Sequence, residues 1–132
     1  MNTGSSHKIA YGITYEWLAD NTILRVHIDS YERDSVDALA QFAIDVHKNH
    51  APPYNFLYEV DNPKIVLTPY ARRHLAQMAD LYQNEPGRTA YVLPYRDINH
   101  AMRFFLMARK SQTRQREIFQ NQAAALAWLQ DA

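Results

Sequence analysis

The sequence has 132 residues and a mass of 15.4 kDa, the size of one domain, and 47% of its residues are hydrophobic, enough for a core without metal or disulfide cross-links. It contains no cysteine, which excludes disulfides, thiolate metal sites and cysteine nucleophiles and fits a reducing cytoplasm. Basic and acidic residues balance at 14 each, which argues against nucleic acid as a partner, because nucleic-acid-binding domains are usually strongly basic. We therefore expect one soluble, cytoplasmic domain over residues 1–132.

The charges are unevenly distributed along the chain. Residues 1–63 carry a net charge of −5 and residues 64–132 a net charge of +5. Within one domain the two halves interleave and their fields largely mix, but the same asymmetry would also allow two copies to align.

The longest wholly apolar run, residues 123–129, is far shorter than the roughly 20 residues that cross a bilayer, and the polar start lacks a signal-peptide core. We expect no transmembrane segment and no export.

The first elements are two strands. Apolar and smaller or polar residues alternate from 9 to 17, which predicts a single strand with one large apolar face. Asp20 and Asn21 favour a turn, and alternation resumes over residues 24–28. The two segments therefore predict an antiparallel hairpin.

Helices and buried strands alternate through the rest of the chain. Apolar residues at helical spacing predict four helices, and their expected N-terminal caps are Asp34 or Ser35, Thr68, Asp97 and Asn121. Pro86 and Gly87 are expected to end the second helix. Short apolar runs predict strands at residues 55–60, 89–93 and 116–119.

The predicted order ββαβαβαβα indicates an α/β fold. Strands joined by right-handed helical crossovers are parallel. We therefore expect a mixed five-stranded sheet with the first strand antiparallel, the rest parallel, and four helices.

Several segments of the chain resemble one protein family. They comprise an aromatic start, two short strands, an arginine-bearing helix and a strand that leads into a short Ala/Leu/Trp helix: Tyr15-Glu16-Trp17, Leu57-Tyr58-Glu59-Val60, Ala90-Tyr91-Val92, Arg72-Arg73-His74-Leu75-Ala76, and Arg116-Glu117-Ile118-Phe119 with Ala125-Leu126-Ala127-Trp128-Leu129. This pattern is similar to SpoIIAA-like proteins of the STAS superfamily. The resemblance implies the fold predicted above and a non-catalytic regulatory or interaction module of bacterial type.

Related anti-sigma-factor antagonists are switched by phosphorylation in an Asp-Ser-Xaa-Gly-like motif after the third strand. Here the corresponding stretch, residues 61–68, lacks the Ser-Gly step, and Thr68 is its nearest hydroxyl. We therefore do not expect this phosphorylation switch to operate.

Catalytic and metal-binding motifs are largely missing. Glycine occurs only at positions 4, 12 and 87, so neither a GxGxxG turn nor a glycine-rich phosphate loop can be built. His47 and His50 stand three residues apart and could flank a metal, but a favourable position at a helix C-terminus explains them better. We expect no catalytic residue, no metal and no cofactor.

Ligands of open α/β sheets bind beyond the carboxyl ends of the parallel strands. The candidate ligand- or partner-binding residues at that edge are Asp61, Asn62, Thr68, Tyr95, Arg96 and His100. Residues 65–67 form an apolar triplet there, which either folds onto the core or contacts a partner.

The third helix carries more apolar residues than one buried face requires. Phe104, Leu106 and Met107 lie outside its main apolar stripe, so Phe104 and Met107 are candidates for a subunit interface. The following basic run of Arg109, Lys110, Arg114 and Arg116 is either a solvated helix end or a contact for acidic lipids or an acidic partner.

The sequence thus leads to two hypotheses. The first is a non-catalytic module that binds a protein partner or a small apolar ligand, with a possible homodimer. The second is a small lipid- or carboxylate-binding carrier or enzyme, with a pocket near Tyr95 and His100 and a carboxylate on Arg96.

Overall fold

The computed structural model describes residues 6–109 and 113–131. These residues form six strands and four helices, which we number in chain order: β1 (His7–Ala10), β2 (Ile13–Leu18), β3 (Ile23–Ile28), α1 (Arg33–Asn49), β4 (Phe56–Val60), α2 (Pro69–Leu81), β5 (Gly87–Val92), α3 (Arg96–Met107), β6 (Arg114–Phe119) and α4 (Gln122–Gln130). The predicted α/β class and the four helices are confirmed.

The predicted number of strands, five, was wrong, because the segment predicted as one strand over residues 9–17 is a hairpin. Gly12 has a φ of +74°, a conformation that favours glycine, and the chain reverses between Ala10 and Ile13, which are register partners. The backbone also passes close to a neighbour here: a Cβ on Gly12 would lie 2.6 Å from the Cβ of Ser30. The observed order is therefore βββαβαβαβα.

The strands follow one another across the sheet in the order β1-β2-β3-β4-β5-β6. The pairs β1–β2 and β2–β3 are antiparallel, and β3 to β6 are parallel, as expected for strands joined by helices. Three successive crossovers of one hand, each to the adjacent strand, place α1, α2 and α3 on the same face of the sheet. The last helix, α4, packs on the opposite face against β4, β5 and β6.

Two hydrophobic clusters follow from this layering. The larger one joins α1, α2 and α3 to one face of the strands, with Val26, Val36 and Leu93 almost fully buried. The smaller one joins Ala125 and Leu129 of α4 to the other face. Most of the core therefore lies between the sheet and α1, α2 and α3.

Local sequence signals predicted the ends of most helices and strands to within a few residues. Thr68 and Asn121 cap α2 and α4 through side-chain oxygens, as predicted. The cap predicted for α1 was wrong: Glu32 precedes the helix, and the Ser35 hydroxyl donates to the carbonyl of Tyr11 at 2.7 Å instead.

Two further predicted boundaries differ from those in the structure. Asp97 lies in the first turn of α3, whose cap position is Tyr95, and Gly87 begins β5 rather than ending α2. Among the described residues, no helix is long and apolar enough to span a membrane.

Candidate functional site

The carboxyl edge of the parallel strands brings two of the predicted site residues together. The Tyr95 hydroxyl donates to one carboxylate oxygen of Asp61 at 3.3 Å, and the ring Nε2 of His27 lies 3.1 Å from the other. Asp61 raises the pKa of Tyr95, an effect that comes second to partial desolvation of that hydroxyl. His27 was not predicted; its position beside the end of β4 follows from the parallel β3–β4 register.

The other predicted residues at this edge have structural partners or face solvent. Asn62 donates to the carbonyl of Asp29 at 3.0 Å, and the Thr68 hydroxyl accepts from the backbone of Ala71 at 3.1 Å to cap α2. Arg96 and His100 are exposed on α3. The edge therefore contains a small polar cluster, and Arg96 and His100 lie outside it.

The apolar triplet at residues 65–67 folds mainly onto the core. Ile65 and Leu67 are buried, and Val66 between them is exposed. On α3, Phe104 and Met107 are 75% and 66% exposed and face solvent, whereas Leu106, the third apolar residue outside the main stripe, is half-buried against the core. Phe104 and Met107 form the exposed pair of α3.

A cavity of about 40 Å³ lies between the sheet and the helices α2 and α3. Its walls are mostly aliphatic and aromatic, with two arginines and a threonine: Ile28, Tyr31, Leu39, Phe56, Tyr58, Val60, Leu75, Met78, Ala79, Tyr82, Thr89, Tyr91, Leu93, Met102, Phe105, Arg114 and Arg116. Tyr58 and Tyr91, on the central strands β4 and β5, are half-buried and line this space. We call this space the sheet–helix cavity.

Arg114 enters the sheet–helix cavity from the start of β6 and is 2% exposed. Its Nη2 donates to the Thr89 hydroxyl and to the carbonyl of Tyr54, both at 2.7 Å, and its guanidinium carbon lies 5.2 Å from the centre of the Phe56 ring. Burial lowers the pKa of Arg114 to about 10, so it remains a cation at neutral pH.

Arg116 enters the same cavity two residues later. Its guanidinium donates to the carbonyls of Ala79 in α2 and Arg109 after α3, at 3.0 and 2.7 Å, and to the side-chain oxygen of Gln83 at 3.1 Å. The two helices are therefore tied together at their C-terminal ends, where exposed carbonyls favour a cation.

The tyrosines of the cavity are held in their neutral form. Burial raises the pKa values of Tyr31, Tyr58 and Tyr82 well above the ordinary value. It also raises the pKa of Tyr91, although Arg116 and Arg114 act in the opposite direction. Their hydroxyls therefore remain hydrogen-bond donors at neutral pH.

Sequence reasoning did not find this cavity. It grouped Arg114 and Arg116 with Arg109 and Lys110 as one basic run. Lys110 lies outside the described residues; the other three line one groove with residues of α3 and β6, and Arg114 and Arg116 also line the cavity. Arg114, Arg116 and Ile118 are alternate residues of β6, so their side chains lie on the same face of the strand. The register partner of Ile118 is Tyr91, which belongs to the cavity wall. This alternation along the strand is the signal that could have placed both arginines on the face of the sheet covered by the helices.

The histidine pair at the end of α1 takes part in structural contacts. The His47 ring Nε2 lies 2.7 Å from a carboxylate oxygen of Glu85, and the centre of the His50 ring lies 4.9 Å from that of Trp17, with the two planes tilted by 42°. Within residues 6–109 and 113–131, no group of three His, Asp or Glu side chains is arranged to hold a metal ion.

Comparison with known proteins finds a likeness in structure but none in sequence. No family model matches the sequence, and no curated protein sequence matches it. An uncharacterised protein of the DUF3478 family from Shewanella loihica PV-4, solved as a crystal structure and described as having a SpoIIAA-like fold, superposes with a TM-score of 0.57 at 16% identity. The match covers 98% of each chain. The resemblance drawn from the sequence is thus supported over the whole chain, and the protein has a SpoIIAA-like α/β fold.

Proposed function

We propose that this protein is a non-catalytic regulatory or interaction module that binds a small apolar ligand in the sheet–helix cavity. The observation that carries the proposal is the cavity itself. Protein interiors are close-packed, and about 10–15 Å³ of such space holds one water molecule. A space of about 40 Å³ with mainly aliphatic and aromatic walls therefore has room for several atoms of an apolar guest.

The walls of the cavity also suit a guest of variable shape. Met78 of α2 and Met102 of α3 both line it, and unbranched thioether side chains repack easily around irregular contents. A ligand larger than the resting space can therefore be admitted by rotation of these two side chains. The carbonyl contacts of Arg116 keep the ends of both helices in place.

Thermal unfolding with small apolar compounds tests this proposal. A ligand that binds only the folded protein stabilises it by about 2.7 kcal/mol at a concentration one hundred times its Kd. We expect benzene, toluene or hexanol to raise the melting temperature of the wild type. Ala79 lines the cavity, so Ala79→Leu should fill the space and remove the effect.

The matched control is Ala127→Leu, the same substitution at an exposed position of α4 on the other face of the sheet. This variant should respond to the compounds as the wild type does. Failure of every compound to stabilise the wild type, or an equal response of the folded Ala79→Leu variant, would contradict the proposal.

The exposed pair of α3 supports a second part of the proposal, a protein contact. Phe104 and Met107 are large, apolar and adjacent on one helical face, and residues of this kind are enriched in interfaces. We propose that they contact a protein partner, with a homodimer as the expected form. The cytoplasmic location expected from the cysteine-free composition stays a prediction.

A further inference from the structure

The sheet–helix cavity contains two positive charges in walls that are otherwise largely apolar. The Arg114 side chain is almost fully buried and Arg116 is half-buried, and both line the space. Burial lowers the pKa of Arg114, and the nearby charge of Arg116 lowers it further. An anion placed between them would relieve that repulsion.

The hydrogen bonds described above hold both guanidinium groups through neutral oxygens. Arg114 is fixed by the Thr89 hydroxyl and by the carbonyl of Tyr54, and Arg116 by two carbonyls and an amide oxygen. Neutral partners orient a guanidinium without cancelling its charge. For Arg116, whose partners named above are all neutral, the positive potential therefore extends into the cavity, where charge interactions are stronger than in bulk water.

A hydroxyl donor lies in the same cavity. Within residues 6–109 and 113–131, no hydrogen bond engages the Tyr58 hydroxyl, and burial keeps this group neutral. Tyr58 and Arg114 both line the cavity. Two cations and one neutral hydroxyl donor match the acceptor pattern of a carboxylate.

Met78, Met102 and Phe105 form part of the apolar wall. We propose, resting on the ligand-binding function proposed above, that the ligand is a small carboxylic acid with a short apolar body. Its carboxylate lies beside Arg114 and Arg116, and its apolar part lies against the methionines and Phe105. The size of the cavity favours an aromatic ring or a short aliphatic chain over a long acyl chain.

Calorimetric titration with matched acid and neutral probes tests the inference. Benzoate is compared with benzamide, and hexanoate with hexanol, at neutral pH and low salt. We expect each acid to bind about tenfold more tightly than its neutral counterpart, since hydrogen bonds to charged groups are the stronger kind. Inorganic phosphate is a third probe, which we expect to bind more weakly than either acid because it has no apolar part.

Variants of three arginines locate the charge. Arg116→Gln and Arg114→Gln should each reduce the preference for the acids to about twofold or less, while binding of the neutral probes is kept. Arg114 is buried, so if Arg114→Gln does not fold by circular dichroism, Arg114→Lys and Arg116→Gln provide the test. Arg96→Gln, at the exposed start of α3 and outside the cavity wall, is the matched control and should bind like the wild type.

The outcomes separate the two proposals. Equal affinity of acids and neutral probes for the wild type would overturn the carboxylate inference and leave the binding of apolar ligands standing. Phosphate binding as tight as that of the acids would also overturn it, because the apolar body would then contribute nothing. If no probe binds at all, both the inference and the proposed function fail. Loss of acid binding in Arg96→Gln alone would place the carboxylate at the carboxyl edge of the strands and overturn the assignment to Arg114 and Arg116.

Discussion

The substitution Gly87→Ala should destabilise the protein strongly, because β5 begins where its backbone passes directly over Tyr54. Gly87 has a φ of +132°, which side-chain-bearing residues rarely adopt. A Cβ there would lie 2.1 Å from the carbonyl oxygen of Tyr54 and 2.7 Å from its carbonyl carbon. Tyr54 would have to move away by about 1.3 Å to reach ordinary contact distance. This movement is resisted because the Tyr54 carbonyl accepts from Arg114 and its N–H donates to the Pro86 carbonyl at 3.0 Å.

The magnitude combines two effects. Backbone strain of this kind amounts to about 1–3 kcal/mol, and a buried hydrogen-bonding group left without its partner adds about 1–3 kcal/mol. We expect a loss of about 4 kcal/mol in the free energy of unfolding, measured by urea denaturation followed by circular dichroism. Gln115→Ala, at an exposed position on the neighbouring strand, is the control and should change it by less than about 0.5 kcal/mol. A loss below about 1 kcal/mol for Gly87→Ala would refute the close approach of the two backbone segments.

Three further predictions follow from burial and exposure. Met107→Lys should change the unfolding free energy by less than about 0.5 kcal/mol and shift a dimer to monomer in light scattering; a wild type that is monomeric at high micromolar concentration would rule out the interface. A chain ending at Asn121 lacks α4 and with it the buried Leu129. The free energy of unfolding should fall by roughly 1.5–3 kcal/mol for each large buried side chain that is lost, so an unchanged melting temperature would contradict the packing of α4. Because burial raises the pKa of Tyr58, the folded protein keeps a proton that the unfolded chain releases near the ordinary value of 10.0, and stability should fall as pH rises above that value. Ultraviolet titration should show tyrosinate from Tyr58 and Tyr31 only together with unfolding, and reversible titration at the ordinary pH in the folded state would count against their burial.

The order of strands and helices was predictable because hydrophobic periodicity and prolines mark its boundaries. The exception, the extra strand, shows where this kind of reasoning fails. Gly12 falls on a small-residue position of the alternating pattern, so the pattern continues through the turn without a break. Only the backbone conformation of Gly12, and the approach of Ser30 to it, divide the segment into β1 and β2.

The candidate site was less predictable than the fold. The rule that ligands bind beyond the carboxyl ends of parallel strands placed Asp61 and Tyr95 at the same edge of the sheet, and they do contact each other. The cavity depends instead on how far α2 and α3 lie apart above the sheet, which no residue pattern specifies. Arg114 was misread for the same reason: an arginine next to other basic residues in the sequence suggests a surface, and its burial becomes visible only when its strand is paired.

The most direct test of the central claim, binding inside the sheet–helix cavity, is a methyl spectrum of the protein labelled at methionine with carbon-13. The sequence has four methionines; Met78 and Met102 line the cavity, whereas Met107 is exposed on the outside of α3. Titration with toluene or hexanoate should shift the Met78 and Met102 signals, assigned by substitution with leucine, and leave the Met107 signal in place. Shifts confined to Met107, or no shift of Met78 and Met102 at saturating ligand, would contradict the claim.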